Sequence, residues 1–243
     1  MADKITALRA DPSDDEKVHV FIDGRHAMVV ALDVAAAERL AVGQEIPPER
    51  VERLNRAEEM QRTYESALNF LSYRPRSARE VEMRLRKKGH TPEEISVVME
   101  RLRKEKYVDD AEFARFWVTN RMTFSPRGPR LLKSELRQKG VAAEVVDEVL
   151  QEQADEQAEA VQQAEEIAQA WGQERGDSPA PGTDLANALA LAEKKMRVYG
   201  RLDPQTARRR LSGFLMRRGY NYDVVGEVIR RLLTEPDKDM LDD

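Results

Sequence analysis

Three short runs carry the reading of the fold: Leu85-Arg86-Lys87-Lys88-Gly89, Leu136-Arg137-Gln138-Lys139-Gly140 and Leu215-Met216-Arg217-Arg218-Gly219. Each reads as the end of a helix. Glycine accepts the left-handed backbone that terminates a helix, and cations in the last turn meet the negative end of its dipole. Counting outward from the three glycines, apolar residues recur in register. Eight residues before stand Val81, Leu132 and Leu211; six after stand Ile95, Val146 and Val225; nine after stand Val98, Val149 and Val228. Helical spacing on both sides of each glycine predicts a helix–turn–helix pair repeated three times.

The first two copies align without a gap at a separation of 51 residues, which lays Tyr73-Arg74-Pro75-Arg76-Ser77 over Phe124-Ser125-Pro126-Arg127-Gly128. A further helix precedes each proline, over 49–73 and 110–123, so the unit has three helices. One unit is too small to hold a lasting core alone, and stacking is expected to supply it. Ser77 with Glu80, Thr91-Pro92 with Glu94, Asp109 with Glu112, and Asp203-Pro204 read as helix starts. The second and third glycines are 79 residues apart, so 28 residues are inserted around 151–184. They predict an acidic helix to about Trp171 with a weak apolar stripe (Leu150, Ala154, Val161, Ala168, Trp171), then a loop over 172–182.

Upstream the period changes to two. Val18, Val20 and Ile22 alternate with His19 and Phe21, Asp23-Gly24 supplies a turn, and Met28, Val30 and Leu32 resume, so 17–32 predicts a hairpin. Residues 5–8 offer a third strand and 34–40 a short helix; Pro48 suits the first turn of the helix that follows. The predicted fold is mainly α: three tandem three-helix repeats forming an elongated curved body, with a small N-terminal β-hairpin or three-stranded module. The expected divisions are a β-rich module 1–47, repeats at 48–105, 106–152 and 185–233, an acidic insertion 153–184 and an acidic tail 234–243.

Composition narrows the function. The chain has 243 residues, 35% of them charged, 41% hydrophobic and none cysteine, which excludes a disulfide framework, a thiolate metal site and a thiol nucleophile. Histidines occur at 19, 26 and 90, too scattered along the chain to suggest a metal cluster. No phosphate-binding glycine loop or nucleophile–base set is visible, so no catalytic residue, metal or cofactor is expected. No apolar run approaches membrane-spanning length and the first residues lack a secretory pattern; a soluble, cytoplasmic monomer is expected.

The net charge of −5 hides segregation. Residues 67–150 carry 18 Lys and Arg against 13 Asp and Glu, and 187–233 carry 11 against 4, whereas 151–186 carry 1 against 9 and 234–243 carry 1 against 5. Such patches steer an acidic partner even on an acidic chain. Ten residues before each glycine stands an arginine, Arg79, Arg130 and Arg209. On a helix these lie about 120° from the core-facing leucine, and Arg86 and Arg137 share nearly that azimuth. With Lys87, Arg208, Arg210 and Arg217 they form the candidate partner-binding set. The equally available reading of Arg79, Arg130 and Arg209 is a salt bridge to the neighbouring unit. Lys88, Lys139 and Arg218 are accounted for by the helix dipole alone, and Tyr107, Phe113, Phe116 and Trp117 are assigned to the core.

The run Tyr107-Val108-Asp109-Asp110-Ala111-Glu112-Phe113-Ala114, continuing to Val118 and Arg121, resembles the YxDDxxFAxxxVxxR segment of the RecX family. So do Tyr73–Ser77 before it, Leu132–Gly140 after it and Arg217–Tyr222 in the third copy; the acidic insertion departs from the family pattern. The resemblance implies a regulator without catalytic residues that binds RecA recombinase in its filament form and restrains filament growth, ATP hydrolysis and strand exchange in recombination and repair. DNA is a secondary candidate partner, and a sequence-independent nucleic-acid-binding module is the alternative reading.

Overall fold

The computed structural model describes residues 3–170, 179 and 182–233, and the chain divides after Val108 into two compact units. In the first, β1 (Asp3–Asp11), β2 (Asp14–Ile22) and β3 (Arg25–Ala31) pair antiparallel. A two-residue β4 (Glu45–Ile46) adds a fourth strand on the far side of β1, giving the order β3-β2-β1-β4. Asp23 and Gly24 both take positive φ (47° and 77°), the geometry that matches a tight turn to strand twist. The alternation holds through Val30: Ile5, Val18, Val20 and Val30 face inward and His19 and His26 sit on the other face, but Leu32, expected to continue it, opens the helix that follows and is 51% exposed. There His19 Nδ1 lies 2.9 Å from His26 Nε2 and His19 Nε2 lies 2.9 Å from the Asp11 carboxylate, so two histidines distant in sequence are adjacent.

The short helix α1 (Leu32–Ala37) and the first half of α2 (Pro48–Leu71) close this sheet. Leu54 is fully buried among the strands, and the Glu58 carboxylate accepts the Ala31 N–H at 2.6 Å. Farther along, Tyr64 and Ala67 of the same helix enter a second core with α3 (Ala78–Lys87) and α4 (Pro92–Lys104). One helix thus serves two cores, and the strand module and first repeat share it.

The second unit holds two further triplets. The first is α5 (Asp110–Phe124), α6 (Pro129–Gln138) and α7 (Ala143–Ala170). The second is α8 (Asp184–Tyr199), α9 (Pro204–Arg217) and α10 (Tyr222–Leu233). The insertion prolongs α7 without a break at 152. Its expected stripe gains little cover: Ala154 is exposed and Val161 half-buried. Trp171, most of the 172–182 loop and the 234–243 segment lie outside the described residues.

All twelve residues in register with the glycines are buried, none more than 5% exposed. Gly89, Gly140 and Gly219 have φ of 91°, 87° and 89°. Ser77, Asp109 and Asp203 cap α3, α5 and α9, and Thr91 with Glu94 forms a reciprocal capping box on α4. Phe113 is buried and Phe116 and Trp117 half-buried, but Tyr107 is 54% exposed and not core. It follows Lys106, whose positive φ (61°) turns the chain out of α4, so the helical period that governs residues 113–117 does not reach it.

The second and third triplets interlock backbone to backbone. The Gly128 N–H donates to the Arg218 carbonyl at 2.8 Å. A Cβ on Gly128 would fall 2.3 Å from the Gly219 carbonyl oxygen, and one on Gly219 would fall 2.6 Å from Leu131. Gly89, by contrast, has open space around it. Gly89→Ala is therefore expected to cost about 1 kcal/mol from its backbone conformation alone. Gly219→Ala adds the clash and is expected to cost about 3 kcal/mol; thermal unfolding of the two variants measures the difference.

Burial raises the Asp184 carboxyl, in the first turn of α8, from its ordinary 3.8 to about 6. A carboxyl raised on folding penalises the fold when ionised: nothing below about pH 4, fully above about pH 6. Asp184→Asn is expected to remove this loss of stability between pH 4 and 6 and to melt higher than the parent at pH 7.5.

Candidate functional site

The caps and glycines set the helices whose outer faces carry the cations. On α3, Arg79 and Lys87 are exposed with no carboxylate partner among the described residues, while Arg86 lies 3.9 Å from Glu82 one turn away. On α6, Arg130 and Arg137 are exposed with no carboxylate partner among the described residues, two turns apart, and with Ser134 and Gln138 they rim a shallow hollow. Lys133 beside them is occupied by Asp147. On α9, Arg208, Arg209, Arg210 and Arg217 are all exposed, and none has a carboxylate partner among the described residues. Arg79, Arg130 and Arg209 thus make no salt bridge to a neighbouring unit among those residues.

Other arginines are spent on structure. Glu135 of α6 accepts from Trp117 Nε1 at 2.8 Å and from Arg121 Nε at 2.9 Å, and the Arg127 guanidinium lies against its other oxygen. Burial first, then the charges of Arg121 and Arg218, pushes the Arg127 pKa down. Arg115 grips Glu152 at 2.8 and 3.1 Å. Arg230 and Arg231 both bond Glu227, which holds its carboxyl down at about 2. The cations before the glycines are also occupied: Lys88 donates to Ser66 Oγ at 2.7 Å, Lys139 stands 4.2 Å over Trp117, and Arg218 reaches Ser125.

The structure adds aromatic residues that charge counting passed over. Tyr73 and Phe124, equivalent across the 51-residue repeat, are 80% and 79% exposed, each where the first helix of its repeat ends. Tyr222, 70% exposed at the start of α10, has Arg130 5.7 Å over its ring, so α6 and α10 present a cation and an aromatic side by side. Only repeat alignment signals the first pair; nothing in sequence signals the second. No three or more His, Asp or Glu side chains converge on a metal position among the described residues, and no described helix is long and apolar enough to cross a membrane. The arrangement offers exposed guanidinium groups that meet no carboxylate among the described residues, one of them, Arg130, beside an aromatic ring, and such groups suit carboxylate or phosphate.

Three family profiles match the chain in order: RecX, first three-helix domain, over 64–102; RecX, second three-helix domain, over 109–150; and RecX, third three-helix domain, over 183–229. The chain is 28% identical over 233 residues to the regulatory protein RecX of Bacillus licheniformis, covering 96% of this chain and 79% of that one. It is 36% identical over 139 residues to its counterpart in Lactobacillus johnsonii, covering 57% and 51%. Among solved structures, a crystal structure of regulatory protein RecX superposes with a TM-score of 0.72 at 21% identity, over 93% of this chain and 98% of that one. RecX from Lactobacillus salivarius gives 0.56 at 23%, over 72% and 97%. Both share the fold.

The division between structural and unpaired cations is measurable. Glu135→Ala strands two largely buried arginines and is expected to cost about 2–3 kcal/mol, whereas Arg79→Ala is expected to stay within about 0.5 kcal/mol of the parent; urea unfolding of both variants decides it.

Proposed function

Because the chain belongs to the RecX family, we propose that it binds the RecA recombinase in its filament form and restrains filament growth, ATP hydrolysis and strand exchange, as a cytoplasmic monomer acting by contact and not by catalysis. The observation that supports this most is the equivalence of Arg79, Arg130 and Arg209. Each stands ten residues before a helix-closing glycine, each is exposed, and none is neutralised by a carboxylate among the described residues. Side chains that fold stability does not use, repeated on each three-helix unit, suit a partner that is itself a repeat of identical protomers. Modest contacts on linked units then multiply into useful affinity. Arg86, Lys87, Arg137, Arg208, Arg210 and Arg217 extend the same surfaces.

Replacing Arg79, Arg130 and Arg209 together by Glu is expected to abolish inhibition of recombinase ATPase while helicity and melting stay as in the parent. A collapse in melting would make the three arginines structural. Binding to bare single-stranded DNA as tight as to the nucleoprotein filament at physiological salt, and weakening steeply as salt rises, would favour a nucleic-acid module instead.

A further inference from the structure

On the outer face of the β2–β3 hairpin, His19 and His26 aim two ring nitrogens at each other, His19 Nδ1 and His26 Nε2 standing 2.9 Å apart. The far nitrogen of His19 decides which atoms face the gap. His19 Nε2 lies 2.9 Å from the Asp11 carboxylate. Ser13, donating to that carboxylate from its hydroxyl at 2.6 Å and its N–H at 2.8 Å, together with His19 holds the Asp11 pKa down at about 2. An ionised carboxylate can only accept, so His19 Nε2 carries the hydrogen and Nδ1 of the neutral ring presents a lone pair. Opposite it, His26 Nε2 supplies the hydrogen that fills the gap. Phe21 meets the His26 ring edge-on with centroids 5.4 Å apart, and Arg9 lies 4.9 Å over Phe21, so groups from β1, β2 and β3 all brace the pair.

The spacing has a second use. Imidazole nitrogens bind first-row divalent ions at about 2.0–2.1 Å, so two of them at the tetrahedral angle stand about 3.3 Å apart. At about 90°, the angle between neighbouring corners of a tetragonal ion, the same bonds place them about 2.9 Å apart. The observed gap matches the tetragonal case, the geometry of Cu(II) and Ni(II). A ligating histidine that gives its second N–H to a carboxylate is the outer-shell arrangement metal centres use to fix a ring and raise its basicity, and Asp11 stands in that place. No third His, Asp or Glu converges here among the described residues. His26 is exposed, so water can fill the remaining corners.

We propose that His19 Nδ1 and His26 Nε2 form a site for a tetragonal divalent ion, Cu(II) or Ni(II), bridging β2 and β3, with Asp11 orienting His19. The ion takes the place of the hydrogen on His26 Nε2, which passes to Nδ1 of the same ring. Both ligands stay neutral imidazoles and no electron is transferred. The site stands whether or not the recombinase is the partner.

A chain without cysteine, whose remaining histidine, His90, is held by the Thr63 hydroxyl at 2.8 Å, makes the test direct. The untagged full chain, titrated with Cu(II), is expected to bind one ion and to show electron spin-echo modulation from two imidazoles. Asp11→Asn keeps both ligands and is expected to lose about 10–100-fold in affinity. His26→Ala changes an exposed side chain; it is expected to melt as the parent does, to lose more affinity still, and to show one imidazole. Absence of a one-to-one complex overturns the proposal. So does a His26→Ala chain with undiminished affinity and an unchanged spectrum, which would mean an adventitious ion only, held elsewhere on the chain. Undiminished affinity in Asp11→Asn overturns the orienting role of Asp11.

Discussion

A left-handed step in the backbone, taken at Gly89, Gly140 and Gly219, is the constraint from which the helical body is built. It ends one helix and aims the next so that residues four and eight before the step meet residues six and nine after it. Leu85, Leu136 and Leu215 are each fully buried at that crossing. Because the crossing claims only one face of each helix, the opposite faces are left to charge. There Arg79, Arg130 and Arg209 recur at one azimuth. The same step that closes a core therefore sets where these guanidinium groups stand.

Cations that meet a carboxylate and cations that meet none among the described residues share these helices. Arg121 and Arg127 converge on Glu135, and Arg115 crosses to Glu152 on another helix. Removing Glu135 leaves two guanidinium groups poorly solvated, so that cluster belongs to the fold, whereas the half-exposed Arg115–Glu152 pair contributes little. Exposed guanidinium groups such as Arg79 and Arg208 impose no such penalty and contribute little to stability.

The helical part of the fold was legible because it obeys a local period: glycine anchors and apolar spacing located twelve core positions of the three hairpins, though not Met99, Leu102, Val141 or Tyr220, and Ser77, Thr91, Asp109 and Asp203 marked helix starts. The strand module was read from alternation over 17–32, but the two-residue β4 is too short to carry a period. Tyr107 was misplaced because a pattern valid inside α5 was extended across a turn. Outward placement of the arginines followed from helix geometry; which of them are neutralised did not, since Lys133–Asp147 and Arg115–Glu152 join residues far apart in the chain. The Arg130–Tyr222 pair and the Gly128–Gly219 contact arise only when two repeats come together, and no sequence period reports them.

That contact also makes the repeats unequal. Where the second repeat has Gly128, the first has Ser77, whose hydroxyl caps α3. A serine grafted at 128 would drive its Cβ into the Gly219 carbonyl, so a chimera with the first repeat in the middle slot could not seat the third. The order of three look-alike modules is thus written in one missing carbon atom, which limits how such a gene could be shuffled or duplicated.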